Sequence, residues 1–208
     1  MLWLNILLGV FTGYLLGNLN GAVSISTLMK DDVRSHGSGN AGLTNFIRNY
    51  GRSKALYVIF VDAIKAILAC FVTGCLLEPF GMYTEGLVIG GAAVMLGHVF
   101  PVLLGFRGGK GILSGLFIAL AVDWRIALII AAVFFTVYFI TRYVSLSSVL
   151  AALSFGICFV VFYWENLIVL LCGVFMCGLT IFMHRSNIAR LLSGKEVKTD
   201  LFAKGKKE

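Results

Sequence analysis

Charged side chains are scarce in this sequence: Asp, Glu, Lys and Arg make up 13% of its 208 residues, against 59% hydrophobic. A soluble domain carries about 25% charged and about 45–50% apolar residues. A soluble globule of this size cannot hide so much apolar surface, because its outside must still meet water. Disorder is excluded by the same figures, since disordered chains are polar and highly charged. The 24 glycines follow no triplet period, which excludes a collagen-like chain. The cysteines (Cys70, Cys75, Cys158, Cys172 and Cys177) lie inside apolar runs and include no CxxC pair, so zinc and redox motifs are missing. Cysteine in such surroundings behaves as a small hydrophobe. No Lys or Arg precedes Lys30, so a cleavable signal peptide is not expected and the first segment stays as a helix. No internal repeat is visible. Mean hydropathy is +0.94, and an integral membrane protein is what remains.

A helix crossing a bilayer needs about 20 mostly apolar residues. Apolar runs cover Leu2–Leu28, Ala55–Leu77, Tyr83–Phe106, Ile112–Val122, Ile126–Thr141, Tyr143–Trp164 and Asn166–Met183. The fourth is too short to span alone and reads as a half-helix completed by the preceding glycine-rich loop; the fifth is also short. The expected fold is an all-α integral membrane protein with seven transmembrane helices, or five if the short runs do not cross. Lys and Arg alternate between loops. Of the 17, Arg125 falls on one side and Lys65 within a span, which leaves fifteen on the other side. Basic loops face the cytoplasm, so the N-terminus is expected outside and the C-terminus in the cytoplasm. Trp3, Trp124 and Trp164 then fall near outer ends, as an interfacial aromatic belt requires. The chain reads as one seven-helix domain, 1–194, with a basic tail, 195–208, attracted to anionic lipid head groups. Pro101 is expected to kink the third helix.

Three cytoplasmic segments, 35–48, 97–114 and 184–196, are unlike ordinary connectors. In the first, Gly37, Gly39 and Gly42 allow backbone amides to converge on an anion. Ser38, Asn40, Thr44 and Asn45 add neutral donors, and Arg48 adds a fork that grips phosphate through two bonds. A helix starting near Thr44 would turn its N-terminal amides to the same anion. The plain alternative is a flexible Gly/Ser loop. In the second, Arg107-Gly108-Gly109-Lys110-Gly111 sets two cations among three glycines at the mouth of a short helix. That suits phosphate, but it is no Walker A motif, because the GxxxxGK[ST] spacing is missing. A basic boundary turn is the alternative, and His98 reads equally as an interhelical or a catalytic residue. In the third, His184 and Asn187 share a helical face, His184 placed to act on a proton or to bind an anion and Asn187 to orient a hydroxyl. The alternative is a capped amphipathic stub.

Asp62 and Lys65, three residues apart within a span, read as a buried ion pair. Ser145, Ser147 and Ser148 open the sixth run, where serines commonly bind helices together; one of them is placed to donate to a phosphate. All three unusual segments fall on one side of the membrane. A shared site there would hold anion donors, hydroxyls and one or two histidines without a carboxylate cluster, so no metal is expected. Its substrate would carry a phosphorylated head and an apolar tail.

These residues resemble the bacterial acyl-phosphate:glycerol-3-phosphate acyltransferases, the PlsY family. The family's GSGNxGATNxxR appears as Gly37-Ser-Gly-Asn-Ala-Gly-Leu-Thr-Asn-Phe-Ile-Arg48. Its GHxxPxxxxFxGGKGxAT appears in Gly97-His98, Pro101, Phe106 and Gly108-Gly-Lys110-Gly-Ile-Leu-Ser114. Its HxxNIxRLxxGxE appears in His184, Asn187-Ile, Arg190-Leu, Gly194 and Glu196. Leu43 and Ser114 stand where the family commonly has Ala and Thr, and Gly17-Asn-Leu-Asn20 stands where it has Gly-Ser-Ile. The resemblance implies transfer of a fatty acyl group from acyl phosphate to sn-glycerol 3-phosphate, giving lysophosphatidate and inorganic phosphate, with no cofactor or metal. It implies that Ser38, His184 and Asn187 are catalytic. Gly37, Ser38, Gly39, Asn40, Thr44, Ser145 and His184 would hold the acyl phosphate. Arg48, Asn45, Lys110, Gly108, Gly109, Gly111 and Asn187 would hold glycerol 3-phosphate. The expected partners are these substrates and membrane lipids, not nucleic acid, for a monomer in the bacterial inner membrane with its site facing the cytoplasm. The rival classes are a small phosphate or anion transporter and a paralogue that binds phospholipid precursors.

Overall fold

The computed structural model describes residues 1–201; Lys204, Lys206 and Lys207 of the basic tail lie outside the described residues. Among the described residues the chain is helical without strands. The α-helices are α1 (Leu2–Gly17), α2 (Gly21–Leu28), α3 (Leu43–Tyr50), α4 (Arg52–Leu77), α5 (Tyr83–Val99), α6 (Ile112–Val122), α7 (Trp124–Thr141), α8 (Val144–Phe162), α9 (Leu167–Met183) and α10 (Arg185–Leu192).

Two sequence expectations are corrected here. The first apolar run is not one helix: α1 and α2 meet at 42°. Asn18 and Asn20 make the break. The Asn18 amide donates to the Tyr14 carbonyl (2.8 Å) and accepts from Leu103 N (3.0 Å), while Asn20 Oδ1 caps α2 through Val23 N (3.0 Å). Secondly, Pro101 does not kink α5 but ends it. Phe100, the residue before the proline, leaves the helical region at φ −123°, ψ 63°, because the proline ring crowds the α conformation of its predecessor.

Arg52–Phe80, Tyr83–Leu104, Trp124–Thr141 and Val144–Phe162 are each long and apolar enough to cross a membrane, and the bent pairs α1–α2 and α9–α10 raise the number to six. At 11 residues α6 reaches about 16 Å, half of a hydrocarbon core. The outward faces are apolar, as lipid contact requires: Leu7, Phe60, Leu128, Ile140 and Val161 are all at least 60% exposed except Leu128 at 59%.

With lipid outside, the hydrophobic effect gives helices no reason to associate, so close backbone approach matters more. Gly9, Gly13 and Gly17 line the buried face of α1. A methyl group at Gly17 would collide with Val94 O and the Gly97 backbone of α5, and one at Gly97 would collide with Tyr14 O. The main core joins α4, α5, α6, α8 and α9 through Ala66, Cys70, Val94, Ile118, Phe159 and Met176. A second cluster, with Val23, Val33, Ala41, Phe46 and Val58, seats α3 and its loop against α2 and α4. That second cluster fixes the first of the unusual segments against the bundle.

Candidate active site

The loop before α3 is shaped by one side chain. Asn45 Nδ2 donates to Val33 O (2.9 Å), His36 O (3.0 Å) and Asn40 O (3.1 Å), and its Oδ1 accepts from Ser38 N (3.0 Å). Gly37 and Gly39 take φ of +57° and +69°, which only glycine adopts readily. Gly39 N is committed to His36 O at 3.0 Å. The backbone amides of Ser38 and Gly39 and the Asn45 amide therefore hold the loop together, where the sequence had offered them as anion donors. The Ser38 hydroxyl, Asn40, Thr44 and Arg48 are left lining a cavity.

The second segment packs against the end of α5. Gly109 N donates to His98 O at 3.0 Å. A methyl group at Gly108 would strike the His98 and Val99 carbonyls, and one at Gly109 would strike the His98 ring. These two glycines serve close packing and do not line the cavity, whereas Lys110 and Gly111 do. Gly111, at φ +87°, turns the chain into α6. The neighbouring Ser114 hydroxyl is buried without a hydrogen bond.

The third segment bends at His184, between α9 and α10, by 55°. His184 Nδ1 lies 2.8 Å from Thr180 O, so it carries the proton and leaves Nε2 as an acceptor. Asn187 accepts from Lys110 Nζ, which ties the second segment to the third. Asn187 Nδ2 donates to Glu196 Oε1 (2.9 Å), and Arg190 Nε to Glu196 Oε2 (2.6 Å). The chain then runs along the cavity, lining it with Val197 and Leu201: Arg48 donates to the Thr199 hydroxyl, and Tyr138 OH to Thr199 O at 3.1 Å.

One cavity of about 890 Å³ joins all three segments. Its polar end carries Ser38, Arg48, Lys110, Ser145, His184, Asn187, Arg190 and Glu196. Its other end is lined by Leu113, Leu116, Phe117, Ile130, Phe134 and Phe135, from α6 and α7. The Ser145 hydroxyl is buried, faces the Glu196 carboxylate and makes no hydrogen bond of ordinary geometry. Burial and the neighbouring Arg190, Arg48 and Arg185 bring Lys110 down to about 8, against the opposing pull of Glu196. Burial likewise lowers Arg48, which stays a cation. Burial raises Glu196, but the bonds from Asn187 and Arg190 outweigh it, and the carboxyl falls below its usual range.

Arg190 and Glu196 complete the cavity wall, Thr199 ties the following chain to Arg48, and none of the three was singled out from sequence as a ligand or anchor. The i, i+3, i+6 spacing of His184, Asn187 and Arg190 is the signal available for Arg190; nothing local marks Thr199. Asp62 and Lys65 do form the anticipated pair, at 2.6 Å, but it includes His98 as a third member.

A family model described as glycerol-3-phosphate acyltransferase matches residues 7–194. A glycerol-3-phosphate acyltransferase of Thermoanaerobacter pseudethanolicus is 38% identical over 186 residues, covering 89% of this chain and 91% of that one. One from Aquifex aeolicus is 37% identical over 188 residues, covering 90% and 95%. Among solved structures, the glycerol 3-phosphate form of PlsY, an integral membrane glycerol 3-phosphate acyltransferase, superposes with TM-score 0.85 at 35% identity, covering 95% of this chain and 99% of that one. The lysophosphatidic acid form superposes with TM-score 0.81 at 34% identity, covering 94% and 96%. With matches of this length and a cavity that gathers the three motifs, the chain belongs to the glycerol-3-phosphate acyltransferase family.

Proposed function

We propose that this protein transfers a fatty acyl group from an acyl phosphate to a hydroxyl of sn-glycerol 3-phosphate, the step that opens membrane phospholipid synthesis. The observation that carries the reading is the two-ended cavity, cationic and hydroxyl-lined at one end and apolar at the other. The polar end suits two phosphates, and the apolar end between α6 and α7 suits one fatty tail. The solved relatives are a glycerol 3-phosphate form and a lysophosphatidic acid form, which supports these two molecules as acceptor and product.

An acyl phosphate is a mixed anhydride whose leaving group is already good. The protein's work is to place the hydroxyl and neutralise charge. Arg48 and Lys110 grip the phosphate of glycerol 3-phosphate, and Asn187, already bonded to Lys110, orients its glycerol hydroxyl. Ser38 and Ser145, with Gly37, Gly39, Asn40 and Thr44 shaping the wall, receive the acyl phosphate. The hydroxyl oxygen attacks the acyl carbon, the bond from that carbon to the phosphate oxygen breaks, and inorganic phosphate departs. The hydroxyl proton ends on the phosphate, directly or by way of His184 Nε2. Gly108 and Gly109 hold their loop in register away from the cavity, and Asn45, which lines it, holds the first loop in shape through its side-chain amide.

In this reading seven segments cross the membrane, with α6 as a half-span completed by the glycine loop. The basic loops and the cavity face the cytoplasm across the bacterial inner membrane, and the protein acts as a monomer. Purified protein in detergent micelles, given palmitoyl phosphate and glycerol 3-phosphate, should release one inorganic phosphate per lysophosphatidate. Product formed only from acyl-CoA or acyl-carrier protein, or no product, would overturn the reading.

A further inference from the structure

Lys65 lies in the middle of α4 and is 2% exposed. Its ammonium has three donors and no lone pair. Three acceptors surround it: Asp62 Oδ1 at 2.6 Å, the Leu19 carbonyl at 2.7 Å and His98 Nδ1 at 2.8 Å. Asp62 Oδ1 also takes the amide of Gly21, the first residue of α2, at 3.2 Å. The carboxylate keeps the ammonium charged, and the charged ammonium keeps the third contact one-directional. Because Lys65 can only donate, Nδ1 of His98 must accept, and the imidazole proton stands on Nε2.

That Nε2–H has no partner among the described residues, although His98 is only 4% exposed. His98 and Asp62 both border the substrate cavity. Gly109 lies against the ring edge that carries Nε2, with no room for a side chain, and its amide is bonded to the His98 carbonyl. The ring is thus packed beside the loop that carries Lys110.

We propose that Asp62, Lys65 and His98 form a buried relay that locks His98 as an Nε2–H donor to a substrate phosphoryl oxygen in this cavity. His98 is then a further ligand of the reaction, and Lys65 and Asp62 are positioning residues that act through its tautomer. The two histidines of the cavity have opposite assignments: His98 donates from Nε2 and His184 accepts there. The inference rests on the phosphate-binding reading of the cavity given above.

The test uses the full chain in micelles with ¹⁵N-labelled histidine. The three histidine signals are assigned from His36→Gln and His184→Gln. His98 should show a protonated Nε2 and a bare Nδ1, and its Nε2 signal should shift on adding glycerol 3-phosphate or inorganic phosphate. A protonated Nδ1, or an Nε2 signal unmoved by both, overturns the proposal. His98→Asn keeps an oxygen for Lys65 but does not reach the cavity. It should lose roughly tenfold to hundredfold in kcat/KM while unfolding at the wild-type temperature; a folded variant with unchanged kcat/KM also overturns the proposal. Palmitoyl phosphate turnover is followed in the same preparation. Active protein with an unmoved His98 signal removes this inference alone, whereas inactive wild-type protein removes the acyl-transfer reading beneath it.

Discussion

Arg48 and Lys110 carry their charge in a cavity where it is poorly hydrated, which makes a phosphate the natural replacement for lost water. Each charged hydrogen bond is worth about 1.5–3 kcal/mol, or roughly 10- to 100-fold. In the proposed role Arg48 grips phosphate through two bonds, so in Arg48→Ala kcat/KM for glycerol 3-phosphate should fall by roughly two orders of magnitude while the protein still inserts; steady-state kinetics on the micelle-purified variant check this. Lys110 titrates at about 8 in the free protein. Above that pH the ammonium loses its proton, so kcat/KM should decline about tenfold per unit from near pH 8. Bound phosphate favours the charged form, so kcat should hold to higher pH. In Lys110→Arg the alkaline limb should disappear from the measured range, because arginine does not deprotonate there.

Helix junctions decide where these side chains stand. Gly42 starts α3 without a side chain of its own, Gly111 does the same for α6, and His184 sits at the bend between α9 and α10. The bundle behind them depends on small residues. Gly97→Leu would drive a branched side chain into Tyr14 O and Gly17 of α1. Overpacking of this kind costs about 1–3 kcal/mol. Loss of a defined thermal transition, or a lowered midpoint in micelles, is the expected result. Gly178 has nothing within 4 Å of its missing side chain, so Gly178→Ala serves as the matched control with an unchanged midpoint.

At the scale of the whole molecule, the prediction concerns sidedness. With the native cysteines replaced, His36→Cys should react with a membrane-impermeant maleimide only from the cytoplasmic face, and Glu165→Cys only from the opposite one. Labelling of both from one side would reverse the proposed topology. The charge pattern that supports this topology was open to inspection in the sequence, because Lys and Arg are expensive in hydrocarbon and collect in loops. Periodicity and hydropathy placed most helices for the same reason. They missed the break at Asn18 and Asn20, whose two amides satisfy backbone groups that an apolar run does not reveal.

The motifs, and the membrane side proposed for them, were thus legible in residue chemistry alone, since glycine, cation and hydroxyl content is local. Which groups remain free for substrate was a tertiary matter. Asn45 turned inward to bind its own loop, Gly108 and Gly109 became packing surfaces, and Thr199 reached back to Arg48 from 151 residues away. His98 was joined to Asp62 and Lys65 from a separate helix. A hydrogen bond has one donor and one acceptor at short range, and no linear pattern specifies which distant partner will arrive first; folding makes that choice.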